Sequence, residues 1–227
     1  VPRMGPRIAR MLDGADGFAP QLAGTFAAET GQVPSGSAVA DALRVINGRA
    51  LSAPVSELAL RIARPAPDEV VVDLGDAAGR VVVVRPGRWE IAERYAGVVF
   101  KRTALSAPLP QPVRGGSLDT LRDLLPLGQE DWPLARAWLL LALLAGVGCP
   151  ITFLHGGQGS GKSWTARALV TTVDPSPAPL RRLPRERDWP ATLSASRVSC
   201  FDNLTRIPGW AADAMCRATT GEGAVDR

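Results

Sequence analysis

The feature that most constrains this chain is a glycine-rich loop at residues 156–163. Its sequence, Gly-Gly-Gln-Gly-Ser-Gly-Lys-Ser, fits the pattern GxxxxGK[ST]. A β-prone run at residues 151–154 precedes the loop, and a helical run at residues 164–172 follows it. Because such a loop places a helix N-terminus against a bound anion, the pattern predicts a phosphate site between a strand and a helix.

The residues of this loop are candidates for binding ATP. The glycines let the backbone curl so that successive N–H groups point at phosphate oxygens. We expect Lys162 to bridge the β- and γ-phosphates and the Ser163 hydroxyl to bind Mg²⁺. The predicted nucleotide-binding residues are Gly156, Gly157, Gln158, Gly159, Ser160, Gly161, Lys162, Ser163 and Trp164.

A second magnesium-binding group is expected at the end of a hydrophobic strand. Residues 198–202 form a largely apolar run that ends at Asp202, which would hold the metal partly through water. Asn203 follows, and its amide can orient an attacking water but cannot take its proton. Lys162, Asp202 and Asn203 are the predicted catalytic residues. Either hydrolysis is slow or a base comes from elsewhere, and Asp174, in a turn-like context, is a weak candidate for that base.

The spacing between the loop and Asp202 bears on the fold class. It leaves room for one more strand at residues 180–183 and a helix at residues 188–196. An inserted strand is typical of the additional-strand division, which includes AAA+, RecA-like and helicase ATPases, whereas nucleotide kinases usually lack it. We therefore expect an α/β P-loop NTPase core of this division over residues 113–227, incomplete at its C-terminus.

The N-terminal part, residues 1–112, predicts a small α+β module. Residues 1–36 are rich in Gly, Ala and Pro and are expected to be loosely structured, with one short helix at most. Ser37 is a candidate N-cap for a helix at residues 38–46. Turn residues then separate five β-like segments, which predict an antiparallel meander; these are residues 57–62, 69–74, 80–85, 88–92 and 97–101. Residues 103–117, rich in Pro and Gly, are the best candidate linker.

Composition limits the partners and the compartment. The net charge is +4, and only two of the 26 basic residues are lysines, Lys101 and Lys162. This balance allows contact with DNA. The three cysteines are widely spaced without metal-ligand spacing, which favours a reducing, cytoplasmic compartment. The longest apolar run, residues 138–148, is too short for the ~20 residues of a membrane span, so no membrane partner is expected.

Residues from about 109 to 227 resemble a group of ATP-binding proteins from actinobacteria, phages and integrative elements. That group is related to the poxvirus-type primase-helicase ATPases of helicase superfamily 3. The resemblance rests on LPQPVRGGSLDTLRDLL, HGGQGSGKS, VDPSPAPLRRLPRERDW, FDNLTRIPGW and DAMCRATTGEG. The Asp-Asn pair is similar to the acidic motif of the group. A looser resemblance extends into residues 70–102.

The resemblance implies several further features. Superfamily 3 proteins have a basic residue before a TGG-like turn that leads to a DNA-contacting hairpin. Arg217, Gly221 and Gly223 are similar to that motif, although Glu222 departs from it. A homo-oligomeric ring, a sensor asparagine and an arginine finger located after residue 227 are also implied.

These observations lead to three alternatives for function. The first is a nucleic-acid-directed, helicase-like ATPase that forms the motor part of a phage or mobile-element replication or maintenance protein. The second is a nucleotide-dependent switch with little hydrolysis, which Asn203 favours. The third is a small-molecule P-loop kinase, in which the arginines of residues 181–187 would act as a lid.

Overall fold

The computed structural model describes residues 8–9, 11–12 and 17–220. Its helices are α1 (Phe18–Thr30), α2 (Gly36–Leu51), α3 (Leu118–Leu124), α4 (Asp131–Ala142), α5 (Lys162–Val173), α6 (Trp189–Leu193) and α7 (Gly209–Thr220). Its strands are β1 (Ile8–Ala9), β2 (Leu58–Ala59), β3 (Ile62–Ala66), β4 (Glu69–Asp73), β5 (Val81–Arg85), β6 (Arg88–Ala92) and β7 (Val99–Lys101).

The N-terminal half contains the antiparallel meander that the turn spacing predicts. Strands β3, β4, β5 and β6 lie in sequence order in one four-stranded sheet. Val71 of β4 pairs with Val83 of β5, and both side chains are buried. Because alternate residues of a strand point to one face, these valines form the core of the sheet.

The outer segments of the predicted meander belong elsewhere. The run at residues 57–62 is divided between β2 and β3 by Arg61, whose φ of 60° lies in the left-handed region. Strand β7 does not join the meander but pairs in parallel with β1 and β2 in a second sheet. A parallel pair requires a long connection, so local turn spacing could not predict it.

Two helices precede the sheet, and both are longer than expected. Helix α1 has 13 residues, within a stretch predicted to be loosely structured. Helix α2 begins after Ser35, not Ser37, because the Ser35 hydroxyl accepts from Ala38 N at 3.2 Å. It continues through Asn47 and Gly48 to Leu51. Neither helix has a buried residue.

The expected linker is packed over its first half. Thr103 donates its hydroxyl to Ala195 O at 2.6 Å, Ala107 N donates to Pro175 O at 2.9 Å, and Leu109 N donates to Leu74 O at 2.8 Å. Ile62 of β3 also belongs to a hydrophobic cluster with Trp132, Leu139 and Val173. The two halves of the chain therefore share a core.

The strand expected before the glycine-rich loop is not formed, since residues 150–155 belong to no strand. Ile151 is 41% and Phe153 is 60% exposed. A strand needs a hydrogen-bonded neighbour. The two segments expected to lie beside residues 151–154, which are residues 180–183 and 198–202, pair instead with each other through one parallel bridge, Arg181 to Phe201. The helix expected at residues 188–196 is shorter, a 3-10 turn followed by α6. The P-loop fold class stays a prediction.

Candidate nucleotide-binding site

The glycine-rich loop connects directly to helix α5. Gly156, Gly159 and Gly161 have φ angles of 150°, 78° and 81°, and Gly161 is the N-cap of α5. A Cβ atom on Gly161 would lie 2.6 Å from Pro126 Cγ, and one on Gly156 would lie 2.8 Å from Ser160 Oγ. Backbone conformation therefore favours glycine at both positions, and the ring of Pro126 also limits the space at Gly161.

The Lys162 ammonium lies within this loop. Its Nζ donates to Gly156 O at 2.8 Å, to Gly157 O at 2.6 Å and to Ser160 Oγ at 3.3 Å. Three oxygen acceptors thus hold the cation against the backbone that is expected to bind phosphate. Exposed loop carbonyls are exchangeable partners for an ammonium group, which makes three rotatable hydrogen bonds.

The two expected magnesium ligands are in contact. Ser163 Oγ donates to Asp202 Oδ2 at 2.9 Å, although the residues are 39 positions apart. Asp202 Oδ1 accepts from Asn203 N at 2.8 Å, and Asn203 is exposed with a φ of 59°. Asparagine tolerates this left-handed conformation better than most residues. The structure therefore brings together one hydroxyl and one carboxylate at the N-terminus of α5.

Trp164 is at the edge of the same site. Its indole is 55% exposed, and Nε1 donates to Leu124 O at 3.2 Å. Pro126 is close enough to Gly161 to exclude a Cβ atom there. Residues 124–126 thus lie against the loop and fix the exposed indole beside it. Gln158, the remaining predicted loop residue, is exposed.

Asp174 is not in the site. It follows the last residue of α5, and the 12 residues of the helix at ~1.5 Å each separate it from the loop. Its side chain is 4% exposed and forms an ion pair with Arg61, Nε to Oδ1 at 2.8 Å. Asp174 is therefore buried and paired, and it is placed too far from the loop to supply a catalytic base.

Cys200 lies two residues before Asp202. Burial raises the pKa of the Cys200 thiol, and the charge of Asp202 raises it further, whereas Arg181 opposes the shift. A raised pKa reduces the thiolate fraction at neutral pH, and the thiolate is the nucleophilic form. Cys200 is therefore a poor nucleophile despite its position near the site.

The arginines expected to contact nucleic acid or form a lid differ in exposure. Arg217 is exposed on α7, whereas Gly221 and Gly223 lie outside the described residues. Arg181 is turned inward, where its guanidinium donates to Ser196 Oγ and Ser199 Oγ, both at 2.9 Å. Burial lowers the pKa of Arg181. One member of the predicted lid therefore has a structural role.

Over the parts of the chain that the structure describes, no three His, Cys, Asp or Glu side chains gather into a metal-binding group. The Ser163–Asp202 pair is not such a group, since it combines one hydroxyl with one carboxylate. Mg²⁺ retains several waters and takes only one or two protein carboxylates beside substrate phosphates. The pair fits Mg²⁺ held together with a nucleotide.

Sequence reasoning missed two residues around this site. Arg61 forms an ion pair with the carboxylate of Asp174. Arg197 donates to the backbone carbonyls of Ala142 and Leu144. Both belong to an arginine-rich chain in which a buried arginine has no local pattern of its own. Arg61 lies within the run at residues 57–62 that predicts a strand, so its left-handed backbone conformation was not predicted.

No helix in the described parts of the chain has both the length and the apolar character needed to cross a membrane.

Comparison with known proteins gives a family match for the C-terminal part of the chain. Residues 119–227 match the model of a family described as the actinomycete integrative conjugative element replication protein. No curated protein and no solved structure matches the chain. The match covers the glycine-rich loop, α5, Asp202 and α7. The C-terminal part of this chain is therefore similar to a replication protein of a mobile element, as the motif resemblance predicted for mobile-element association.

Proposed function

We propose that this chain binds ATP with Mg²⁺ and hydrolyses it as the motor part of a mobile-element replication protein. The observation that supports the proposal most directly is the 2.9 Å contact between Ser163 Oγ and Asp202 Oδ2 beside the glycine-rich loop. A hydroxyl and a carboxylate from distant parts of the sequence meet where a phosphate-bound magnesium ion would need them.

The loop residues would bind the phosphate chain. The N-terminus of α5 supplies unpaired N–H groups and a positive helix dipole, both of which favour an anion. Lys162 would exchange its contacts with Gly156 O and Gly157 O for phosphate oxygens, which attract an ammonium more strongly than neutral carbonyls. The exposed indole of Trp164 would lie at the rim of the nucleotide.

The hydrolytic step would use few groups of this chain. When bound, Mg²⁺ supplies neutralisation of the charge that develops on the phosphates. Ser163 and Asp202 would hold the ion, and Lys162 would stabilise γ-phosphate charge. Asn203 would orient the attacking water by a hydrogen bond, since an amide cannot accept its proton.

The replication-related family match supports nucleic acid as the activator of this ATPase. Arg217 is exposed on α7 and would contribute to phosphate contacts. In a ring of subunits, an arginine supplied in trans would add to the stabilisation of transition-state charge.

The test measures ATP binding and turnover with and without single-stranded DNA. We expect Mg·ATP binding, DNA-stimulated release of phosphate, and about a 100-fold weaker affinity for Lys162→Ala because a charge-assisted contact is lost. Lys101→Ala is the matched control, since Lys101 donates instead to Ser194 O. Equal binding by Lys162→Ala and the unmodified chain would refute the proposal.

A second candidate is a nucleotide-dependent switch that binds Mg·ATP but hydrolyses it slowly. Asn203 favours it, because the residue after Asp202 is an amide with no capacity for general-base catalysis. In the same assay, a switch would bind Mg·ATP with unchanged phosphate release when DNA is added. Asn203→Glu separates the two, since a carboxylate would raise turnover if only the base is lacking.

A further inference from the structure

The expected magnesium ligands lie on two segments, helix α5 and residues 197–202, which contact each other near both ends of the helix. At one end, Ser163 of α5 contacts Asp202. At the other end, Asp174 accepts from two backbone groups through Oδ2, Arg197 N at 2.7 Å and Val198 N at 3.2 Å. Residues 197–202 therefore run between two contacts with α5, one at each end of the helix.

Asp174 uses its other oxygen to reach the N-terminal half of the chain. Oδ1 accepts from Arg61 Nε at 2.8 Å, and the two side chains are 4% and 3% exposed. Arg61 also donates to Ala107 O at 2.6 Å and to Asp73 O at 3.1 Å. The ion pair thus joins the sheet of β3–β6, the segment after β7 and the end of α5.

The conformation of Arg61 shows how tightly this contact is defined. Its φ of 60° is unfavourable for a residue with a side chain, and such backbone angles persist only where the surroundings determine them. Gly75 packs against it, because a Cβ atom there would lie 2.6 Å from Arg61 Nη1. Arg61 therefore has a fixed position from which to orient Asp174.

The chemistry of a buried pair makes this contact sensitive to change. A buried carboxylate that loses its hydrogen-bonded cation loses part of the compensation of its charge, and the surrounding groups adjust to it. Besides Arg61, the Asp174 carboxylate accepts hydrogen bonds from the backbone N–H groups of residues 197 and 198, and the charges of Arg181 and Arg197 also interact with it. Any adjustment of the carboxylate is thus transmitted to the segment that ends at Asp202.

We propose that Arg61 and Asp174 are positioning residues for the magnesium-binding pair Ser163 and Asp202. Through them the sheet of β3–β6 sets the position of Asp202 relative to α5. The inference rests on the proposed function, and it makes the N-terminal half part of the nucleotide site. The Arg61–Asp174 pair is expected to affect the magnesium-dependent part of ATP binding, because the glycine-rich loop itself contacts neither Arg61 nor Asp174.

The experiment compares ATP affinity with Mg²⁺ and in EDTA for the unmodified chain, Asp174→Asn and Arg61→Lys. We define the magnesium gain as the ratio of the two affinities. In the variants we expect the gain to fall by about tenfold, as for other residues that orient metal ligands, and the affinity in EDTA to stay unchanged. Glu69→Gln is the matched control, since Glu69 is a buried acid paired with Arg85 in the sheet.

A second measurement needs no nucleotide. Asp202 N donates to Arg181 O at 2.9 Å, and hydrogen exchange of the peptide spanning residues 197–203 reports on that segment. We expect faster exchange there in Asp174→Asn than in Glu69→Gln at equal global stability. Asp174→Glu retains the charge and replaces Asp174→Asn if the latter fails to fold.

The outcomes separate the two proposals. If affinity falls equally with Mg²⁺ and in EDTA, or if exchange of residues 197–203 is unchanged, Asp174 has only a structural role and this inference is wrong. If both variants keep the full magnesium gain, the inference is wrong and the proposed function stands. If the unmodified chain does not bind ATP, the proposed function fails and this inference fails with it.

Discussion

The sheet of β3–β6 and the region around the glycine-rich loop are held together by different interactions. In the sheet, consecutive strands pair through backbone ladders, and valines fill the core. Around the loop, side chains hold segments that have few ladder partners: the buried Asp174 carboxylate and the half-buried Arg197 guanidinium are bonded to backbone groups. The first arrangement depends on neighbours in sequence, and the second on residues more than 20 positions apart.

Because of this difference, we expect substitutions in the sheet to affect mainly folding stability and substitutions around the loop to affect mainly ligand binding. A ladder is regular, so a change in its core that leaves Arg61 and Asp174 in contact lowers the free energy of unfolding without moving the loop. The loop region depends on a small number of specific contacts, so a change to one of its ligand-binding side chains alters ligand binding before it alters folding. Substitutions in the two regions should therefore have opposite signatures.

The largest effect on folding is expected in the sheet. Val71 is 0% exposed and pairs with Val83 and Ala63. Val71→Ala removes buried methyl groups and leaves a cavity, which should lower the free energy of unfolding by about 2 kcal/mol. Denaturant titration measures this loss, and ATP affinity of the folded variant should equal that of the unmodified chain. A matching loss of affinity would show that the two regions are not separable in this way.

An intermediate effect is expected from a glycine pair inside the loop. Gly159 and Gly161 have similar φ angles, 78° and 81°, but only a Cβ atom on Gly161 meets a neighbour, Pro126 Cγ at 2.6 Å. Both alanine variants adopt a strained backbone, at about 1 kcal/mol each. Gly161→Ala must also displace the ring of Pro126, so we expect it to be less stable than Gly159→Ala by about 1 kcal/mol.

Thermal unfolding of the two glycine variants provides the measurement, because each serves as the control of the other. Equal losses of stability would mean that Pro126 yields without strain, and that the segment of residues 124–126 does not restrain the loop. The sheet and the loop region would then differ less, because contacts with residues 124–126 would not hold the loop in place.

The sequence predicted the sheet better than the surroundings of the loop. Runs of valine in β4 and β5 and the Pro-Gly or Gly-rich turns around them specify β4, β5 and β6 locally, and the observed strands lie within one residue of the predicted ends. The glycine-rich motif also pointed to Lys162 and Ser163, and the apolar run that ends at Asp202 pointed to that residue. The structure places Ser163 in contact with Asp202, and their role in binding a nucleotide stays a prediction.

What the sequence could not predict depends on distant partners. Residues 151–154 have β propensity, but a strand also needs a neighbour, and propensity contains no information about one. Arg61 was placed inside a strand, whereas its long-range bonds to Asp174 and Ala107 hold it in a left-handed turn. Buried arginines of this kind have no periodic pattern, so only the folded chain reveals them.

The smallest effect on folding is expected at the magnesium pair, where the change should appear in ligand binding instead. Ser163→Ala removes the hydroxyl that donates to Asp202 Oδ2 but leaves the loop backbone in place. We expect the magnesium gain in ATP affinity to fall by about tenfold, with the free energy of unfolding unchanged, since the contact is exposed. Isothermal titration with Mg²⁺ and in EDTA measures the gain. Thr172→Val is the matched control, because the exposed Thr172 hydroxyl also lies on α5 but donates to Ala168 O at 2.8 Å, away from the loop. If Thr172→Val reduces the gain as much as Ser163→Ala does, the metal is not held by the pair. A fall in stability for Ser163→Ala without a change in the gain would instead mean that its bond to Asp202 stabilises the fold, as a ladder bond does in the sheet.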